Sequence, residues 1–216
     1  VMWLAGALFG VGLSAQAQTL GPAADAYGWD DNSSTNYGTS TEVKSSYNVG
    51  QKDTRIIFLT FDLSGITGAI TSARLRLYGQ LSSSSDNFTV YAVSDTSWAE
   101  NTITYDNRPA LGSALQNIAI TTTTQWWEWS DITSYVEQER SAGRLTITLA
   151  IRPPSTGTFV ATFNSREAAS NGPELIIKSP GITVTPTSGL TTTEAGGTAT
   201  FTVVLSMRDC PVSNCV

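Results

Sequence analysis

The chain has 216 residues, of which 40% are hydrophobic and 14% charged, and this composition excludes a disordered chain. Its net charge of −6 excludes a general binder of nucleic acid or of anionic membranes, because such partners require a basic surface. The complete absence of histidine excludes Ser-His-Asp and Cys-His catalytic sites and every histidine-based transition-metal site.

The chain starts with an uncharged apolar run over residues 3–13, followed by Ala15-Gln16-Ala17. This pattern is typical of a secretory signal peptide that ends in a small-x-small cleavage site. We therefore interpret residues 1–17 as a signal peptide cleaved after Ala17. A core strand or a short membrane anchor is the alternative, although the run is too short to span a bilayer. The prediction is a secreted or cell-surface protein that is not inserted in a membrane after cleavage.

Acidic residues cluster just after the predicted cleavage site, at Asp25, Asp30 and Asp31. Carboxylate oxygens are hard ligands that suit Ca²⁺. The spacing does not match an EF-hand loop, and acidic turns are common without a metal. A structural calcium bound by these three residues is therefore a hypothesis, with solvated turns as the alternative, and no other cofactor is expected.

Apolar alternation with a period of two, interrupted by turn residues, predicts ten short strands. They cover residues 25–29, 41–46, 55–63, 71–79, 87–94, 116–121, 125–129, 144–152, 159–164 and 174–178. One short helix is predicted from about Ile132 to Arg140, ending before Gly143. This pattern predicts an all-β fold, a two-sheet antiparallel β-sandwich that resembles a jelly roll.

The predicted strand over residues 71–79 has leucines at alternate positions. Because alternate side chains leave opposite faces of a sheet, burial of these leucines puts Arg74, Arg76 and Tyr78 together on the solvent face. Lys44 and Arg55 lie on strands expected to be neighbours. The five residues form a candidate binding surface for a hydroxylated or anionic ligand. The alternative is an ordinary soluble exterior on which the arginines pair with Asp62 or Glu42.

The segment over residues 125–130 contains three tryptophans. Alternation sends Trp127 and Trp129 towards the core and Trp126 to the opposite face. An exposed indole can stack on the apolar face of a sugar ring, so Trp126 is added to the candidate surface.

No catalytic centre is visible in the sequence. Glycoside hydrolysis requires two carboxyl groups about 5–9 Å apart, and sequence alone cannot place any pair of acidic residues at that distance. A lyase that acts on uronic-acid polymers can use tyrosine with arginine or lysine, so missing histidine does not exclude one. The prediction is a protein that is not an enzyme.

Several segments together resemble the DNRLRE family, a group of secreted bacterial and archaeal β-sandwich domains related to alginate-binding carbohydrate-binding modules. The segments are Asp25-Ala26-Tyr27, Asn36-Tyr37-Gly38, residues 55–78, VYAVSDTSWAENTITYDNRPALG, WSDITSYV, and FNSRE followed by GPELII. The resemblance covers roughly residues 25–178, and residues 18–178 are interpreted as one domain. It implies binding of an acidic, alginate-like polysaccharide, whose carboxylates suit arginine and lysine partners.

The composition changes near residue 179, where a second pattern starts: GITVTPTSGLTTTEAGGTATFTVVLS. This pattern resembles the first two strands of a Calx-β-like or immunoglobulin-like repeat. Residues 179–216 are therefore interpreted as a linker with a truncated second β domain, and further domains of the same polypeptide are expected. Cys210 and Cys215 could close a small loop, and their role stays open.

The leading hypothesis is a secreted, non-catalytic module that binds an extracellular polysaccharide. The alternatives are a structural or adhesive spacer of a cell-surface protein and an accessory fragment of a polysaccharide-degrading enzyme.

Overall fold

A computed structural model describes residues 15–157 and 159–180 of the chain. Within these ranges the secondary structure consists of eleven strands, one α-helix and two short 3-10 turns. The strands are β1 (Ala15–Leu20), β2 (Ala24–Trp29), β3 (Glu42–Ser45), β4 (Arg55–Asp62), β5 (Ser72–Leu81), β6 (Ser85–Val93), β7 (Ala114–Thr121), β8 (Gln125–Trp129), β9 (Thr146–Arg152), β10 (Ala161–Asn164) and β11 (Glu174–Pro180). The helix α1 covers Thr133–Ser141.

The strands form two sheets. Sheet A has six strands in the order β1-β11-β5-β10-β3, and β8 also pairs with β5. Sheet B has five strands in the order β2-β4-β9-β6-β7. Every strand pair whose register is described is antiparallel. The predicted two-sheet antiparallel β-sandwich with one short helix is confirmed.

The main core lies between the two sheets. It is built from alternate residues of each strand, as on β5, where Leu75 and Leu77 are fully buried between half-buried polar neighbours. Trp129 and Phe163 are also fully buried and meet edge to face, with ring centroids 6.5 Å apart. Full burial of a large apolar side chain contributes about 1.5–3 kcal/mol, so this core carries most of the stability of the sandwich.

A second, smaller core lies on the outer face of sheet B, under the connection between β6 and β7 (residues 94–113). Buried Ile56 and Phe58 pack there with the partly buried side chains of Trp98 and Tyr105. The connection approaches β2 so closely that a Cβ on Gly28 would lie 2.9 Å from the Cα atom of Tyr105. Only glycine allows this approach, which positions the connection over sheet B.

The predicted strands over residues 25–178 each overlap one observed strand, and their ends agree within two residues. Strand β1 was not predicted, and it includes the proposed cleavage site after Ala17. Most of the proposed signal peptide lies outside the described residues. So do nearly all of the segment 179–216 and both Cys210 and Cys215. In the described part of the chain, no helix has the length and apolarity that a membrane span requires.

Candidate functional site

The outer face of sheet A brings together four of the predicted ligand-binding residues. Arg74, Arg76 and Tyr78 project from β5, and Trp126 lies on the adjacent strand β8, directly opposite Tyr78. All four side chains are half-buried. We call this group of four residues the sheet A patch.

The aromatic residues of the sheet A patch contact each other across the two strands. The rings of Tyr78 and Trp126 meet edge to face at 66°, with centroids 5.5 Å apart. The Arg76 guanidinium carbon lies 4.3 Å from the centroid of the Trp126 ring, which is a cation–π contact. These contacts restrict the side chains of Arg76, Tyr78 and Trp126, which stay partly accessible to solvent.

Each arginine of the sheet A patch already has a carboxylate partner. The Nη2 atom of Arg76 lies 2.6 Å from Oε2 of Glu174, on β11, and its Nε donates a hydrogen bond of 2.7 Å to the same oxygen. Arg74 Nη1 lies 3.4 Å from Oε1 of Glu128, on β8. The surface is therefore locally charge-compensated, as the alternative of surface ion pairs predicts, but the partners are Glu174 and Glu128 rather than Asp62 or Glu42.

The structure separates the other two predicted cations from the patch. Lys44 lies in sheet A, on the far side of β10 from β5, and its Nζ is 3.1 Å from Oε2 of Glu42. Arg55 lies in sheet B, where it pairs with Asp53 and its guanidinium carbon is 4.1 Å from the centroid of the Trp29 ring. The expectation that Arg55 neighbours Arg74 and Arg76 is wrong, because the chain passes from sheet A to sheet B between β3 and β4.

The three aspartates predicted to bind calcium do not meet. Asp30 and Asp31 lie in a 3-10 turn after β2, where Oδ1 of Asp30 accepts a hydrogen bond of 2.9 Å from the Thr54 amide. Asp25 is buried near the other end of β2, together with Glu100 and Glu167. In the described part of the chain, carboxylate oxygens of these last three residues lie within 4.8 Å of one another.

The environment of Asp25 is acidic and poorly hydrated. Burial raises the pKa of Asp25 to about 7, and the carboxylates of Glu167 and Glu100 contribute in the same direction. The backbone N–H of Arg166 opposes the shift by donating a hydrogen bond of 2.7 Å to Oδ2 of Asp25. Arg166 Nη1 lies 3.1 Å from Oε2 of Glu100, so this arginine partly neutralises the cluster.

A pocket of about 450 Å³ lies on the outer face of sheet B, beside the 94–113 connection. It is lined by Ile56, Arg108, Pro109, Ala110, Leu111 and Arg152. The sequence analysis did not select its two arginines. The signal available for Arg152 was its position on β9, where the alternate residues Leu149 and Ile151 are buried and Arg152 must face outward.

The known proteins that this chain resembles include one relative in sequence and two adhesin domains of known structure. The chain is 31% identical, over 148 residues, to a gellan lyase of a Bacillus species; the match covers 65% of this chain and only 6% of the lyase. The K3 cleaved adhesin domain of Lys-gingipain from Porphyromonas gingivalis superimposes with a TM-score of 0.36 and 15% identity, covering 73% of this chain and 94% of that domain. The K1 cleaved adhesin domain of the same protein superimposes with a TM-score of 0.30 and 16% identity, covering 78% of this chain and 99% of that domain. No conclusion about function follows from scores this low.

The match to a family is more extensive. A model of carbohydrate-binding module family 96 matches residues 16–179, which include every strand from β2 to β10. This match supports the expected relation to carbohydrate-binding modules, whereas membership of the DNRLRE family and the relation to alginate binders stay expectations. By this match over most of its length, the chain belongs to carbohydrate-binding module family 96.

Proposed function

We propose that this chain is a non-catalytic module that binds an extracellular, acidic polysaccharide, as one part of a larger secreted or cell-surface protein. Its membership of a carbohydrate-binding module family supports the binding function. The 6% coverage of the gellan lyase supports the larger architecture, because this chain resembles one small part of that protein. The same relative favours an accessory module of a polysaccharide-degrading protein over a spacer without a ligand.

The sheet A patch is the proposed contact surface for the glycan. The observation that carries this proposal is the group of Trp126, Tyr78 and Arg76, in which two aromatic rings and a guanidinium contact each other on the outer face of sheet A. Aromatic rings suit the apolar faces of sugars, and positioned guanidinium groups donate hydrogen bonds to hydroxyls. Rigid side chains lose little conformational entropy on binding.

The ion pairs of the sheet A patch limit its ability to select acidic over neutral polysaccharides. Arg74 and Arg76 are paired with Glu128 and Glu174, so a uronate carboxylate approaching them meets acidic oxygens as well. The patch therefore contacts sugar rings and hydroxyls, and it contributes little to a preference for acidic polymers. A weak single contact is strengthened when a polymer presents the same unit many times.

Affinity gel electrophoresis tests the proposal, with alginate, pectin, gellan and a neutral glucan in separate gels. We expect at least one polymer to retard the wild type and the Arg74→Ala/Arg76→Ala variant to be retarded less. The matched control is Arg140→Ala/Arg144→Ala, which removes the same charge from the end of α1 and its connection to β9. Free migration of the wild type in all gels contradicts carbohydrate binding and supports a spacer. Equal retardation of the wild type and the patch variant contradicts only the proposed surface.

A further inference from the structure

We infer that the pocket on the outer face of sheet B is a subsite for the carboxylate of a uronic-acid unit, held by Arg108 and Arg152. This inference rests on the proposed function, because it names the part of the molecule that selects an acidic polysaccharide. The subsite lies in a different sheet from the sheet A patch, so the two surfaces can be tested separately.

Arg152 is held in place by aromatic side chains. It is the last residue of β9, and its guanidinium carbon lies 3.8 Å from the ring centroid of Tyr47 and 5.7 Å from that of Tyr91. Stacking on aromatic rings is a favourable arrangement for a guanidinium and leaves the edge of its plane available for hydrogen bonds. The side chain is therefore pre-organised before a ligand arrives.

Arg108 has the same type of support on the other side of the pocket. Its guanidinium carbon lies 3.5 Å from the ring centroid of Tyr105, and its Nη1 donates a hydrogen bond to the Tyr105 carbonyl oxygen. Tyr105 itself packs in the small outer core, which ties this part of the connection to sheet B. Two cations carried by separate, fixed elements thus line one cavity.

The decisive difference from the sheet A patch is that the two pocket arginines have no acidic partner among the described residues. In residues 15–157 and 159–180, neither Arg108 nor Arg152 forms an ion pair with a carboxylate, whereas Lys44, Arg55, Arg74 and Arg76 each do. In a protein of net charge −6, two unpaired arginines in one pocket form a local positive site.

Arg152 is also partly desolvated, and no carboxylate of the described residues compensates for the lost water. Its Nε atom is buried and has no hydrogen-bond partner among the residues that the structure describes. A cation that has lost water without gaining an anion is destabilised, and an incoming anion relieves that cost. Part of the desolvation penalty of ion-pair formation is therefore already present in the free protein, which increases the gain on binding a carboxylate.

The shape and lining of the pocket fit a sugar acid. A volume of about 450 Å³ lies in the range of small-molecule sites, about 300–1,000 Å³. Ile56, Pro109 and Leu111 supply an apolar wall for the C–H face of a ring, and guanidinium groups match the planar geometry of a carboxylate. A uronic-acid unit carries both chemical features.

The test compares polygalacturonate oligomers with their methyl esters, because esterification removes the carboxylate charge and preserves the sugar chain. Binding is measured by calorimetry for the wild type, for the pocket variant Arg108→Gln/Arg152→Gln and for the control Arg140→Gln/Arg144→Gln. The control changes the net charge by the same amount at residues outside the pocket lining. We expect the wild type and the control to bind the acid form about tenfold tighter than the ester. The pocket variant should lose most of this preference and still bind the ester.

The two proposals fail in different ways. If the wild type binds neither form, and none of the other polymers tested, carbohydrate binding itself is contradicted and the subsite with it. If the wild type binds but does not distinguish acid from ester, or if the pocket variant keeps the full preference, only the subsite is overturned. Tighter binding of a sulfated galactan than of polygalacturonate overturns the assignment to a carboxylate. If the double variant fails to fold, the single variant Arg108→Gln replaces it, because Arg108 lies in a connection and not in a strand. This variant should lower the preference for the acid form over the ester several-fold.

Discussion

The guanidinium group of Arg76 on β5 lies 4.3 Å from the centroid of the Trp126 ring on β8, and it is also paired with Glu174 on β11. Arg76 therefore connects three adjacent strands of sheet A on their outer face. Arg76 and Trp126 are far apart in the sequence and meet only because β5 pairs with β8. Replacement of either residue therefore alters the same surface.

The Arg76→Lys variant tests whether this stacked geometry supports glycan binding. A lysine retains the charge, but it lacks the flat guanidinium that stacks on the indole and donates to Glu174 through two nitrogens. We expect retardation in polysaccharide gels to fall nearly as much as in Arg76→Ala. The free energy of unfolding should change by about 1 kcal/mol or less, because the ion pair is on the surface. Full retention of binding in Arg76→Lys would show that charge alone is sufficient.

Two tryptophans on β8 provide a matched test of the sandwich core. Trp129 is fully buried, and its Nε1 donates a hydrogen bond of 3.0 Å to the Phe88 carbonyl oxygen, whereas Trp126 is half-exposed on the opposite face. We expect Trp129→Ala to lower the free energy of unfolding by about 3–5 kcal/mol. Trp126→Ala should lower it by about 1 kcal/mol through the lost ring contact. Urea unfolding measures both, and equal losses would contradict the assigned faces.

The buried Asp25 predicts a pH dependence of stability. Its folded-state pKa of about 7 lies above the ordinary value of 3.8, so the folded protein binds this proton more tightly than the unfolded chain. The contribution of Asp25 is fully present below pH 3.8 and is lost as the pH rises through 7. We expect the melting temperature of the wild type to fall between pH 5 and 8, relative to that of Asp25→Asn.

Comparing the melting temperatures of the wild type and Asp25→Asn across pH isolates the effect of the Asp25 carboxyl from that of the other charged residues. The two proteins differ only at position 25, which Glu100, Glu167 and Arg166 surround in both. An asparagine oxygen can still accept the hydrogen bond from the Arg166 amide. Parallel pH profiles of the two proteins would contradict a proton held by Asp25.

The calcium site expected from the sequence stays a prediction, with a revised set of donors. Asp25 lies with Glu100 and Glu167, and Asp30 is bonded to the Thr54 amide instead. If calcium binds, it must displace the proton on Asp25, so we expect millimolar Ca²⁺ to raise the melting temperature more at pH 8 than at pH 6.

Two variants discriminate between the original and the revised donors. Asp25→Asn should abolish the effect of calcium, whereas Asp30→Asn should preserve it. Arg166 already supplies a positive charge to Glu100, so an unchanged melting temperature at both pH values would mean that the arginine and the proton neutralise the cluster without a metal.

Alternation along the strands was sufficient to predict much of the fold. The leucines of β5 and the alternate tryptophans Trp127 and Trp129 of β8 face the core as expected, because the side-chain period of a strand is a local property. For the same reason Arg74, Arg76 and Tyr78 share a face in the sequence and in the structure. The family resemblance added the expectation of a carbohydrate-binding module, and the family match supports it at that level.

Which cations of the proposed surface are paired with carboxylates could not be predicted in this way. The partner of Arg76 is Glu174, which lies 98 residues away, and the register of β5 and β11 alone decides that they meet. Asp25 and Glu100 also meet only in the folded chain, and so do Arg108 and Arg152, because the members of each pair come from different elements. Arg55 was assigned to the wrong neighbours because no local pattern reveals at which turn the chain changes sheets.

The amino-acid sequence by itself determined which residues form strands and which side of each strand faces the core, since both depend on steric preferences and burial within a few residues. Only the tertiary structure decided which cations are neutralised and which stay unpaired. The energy of an ion pair depends on distance and solvation, and strand pairing between residues far apart in the chain sets both.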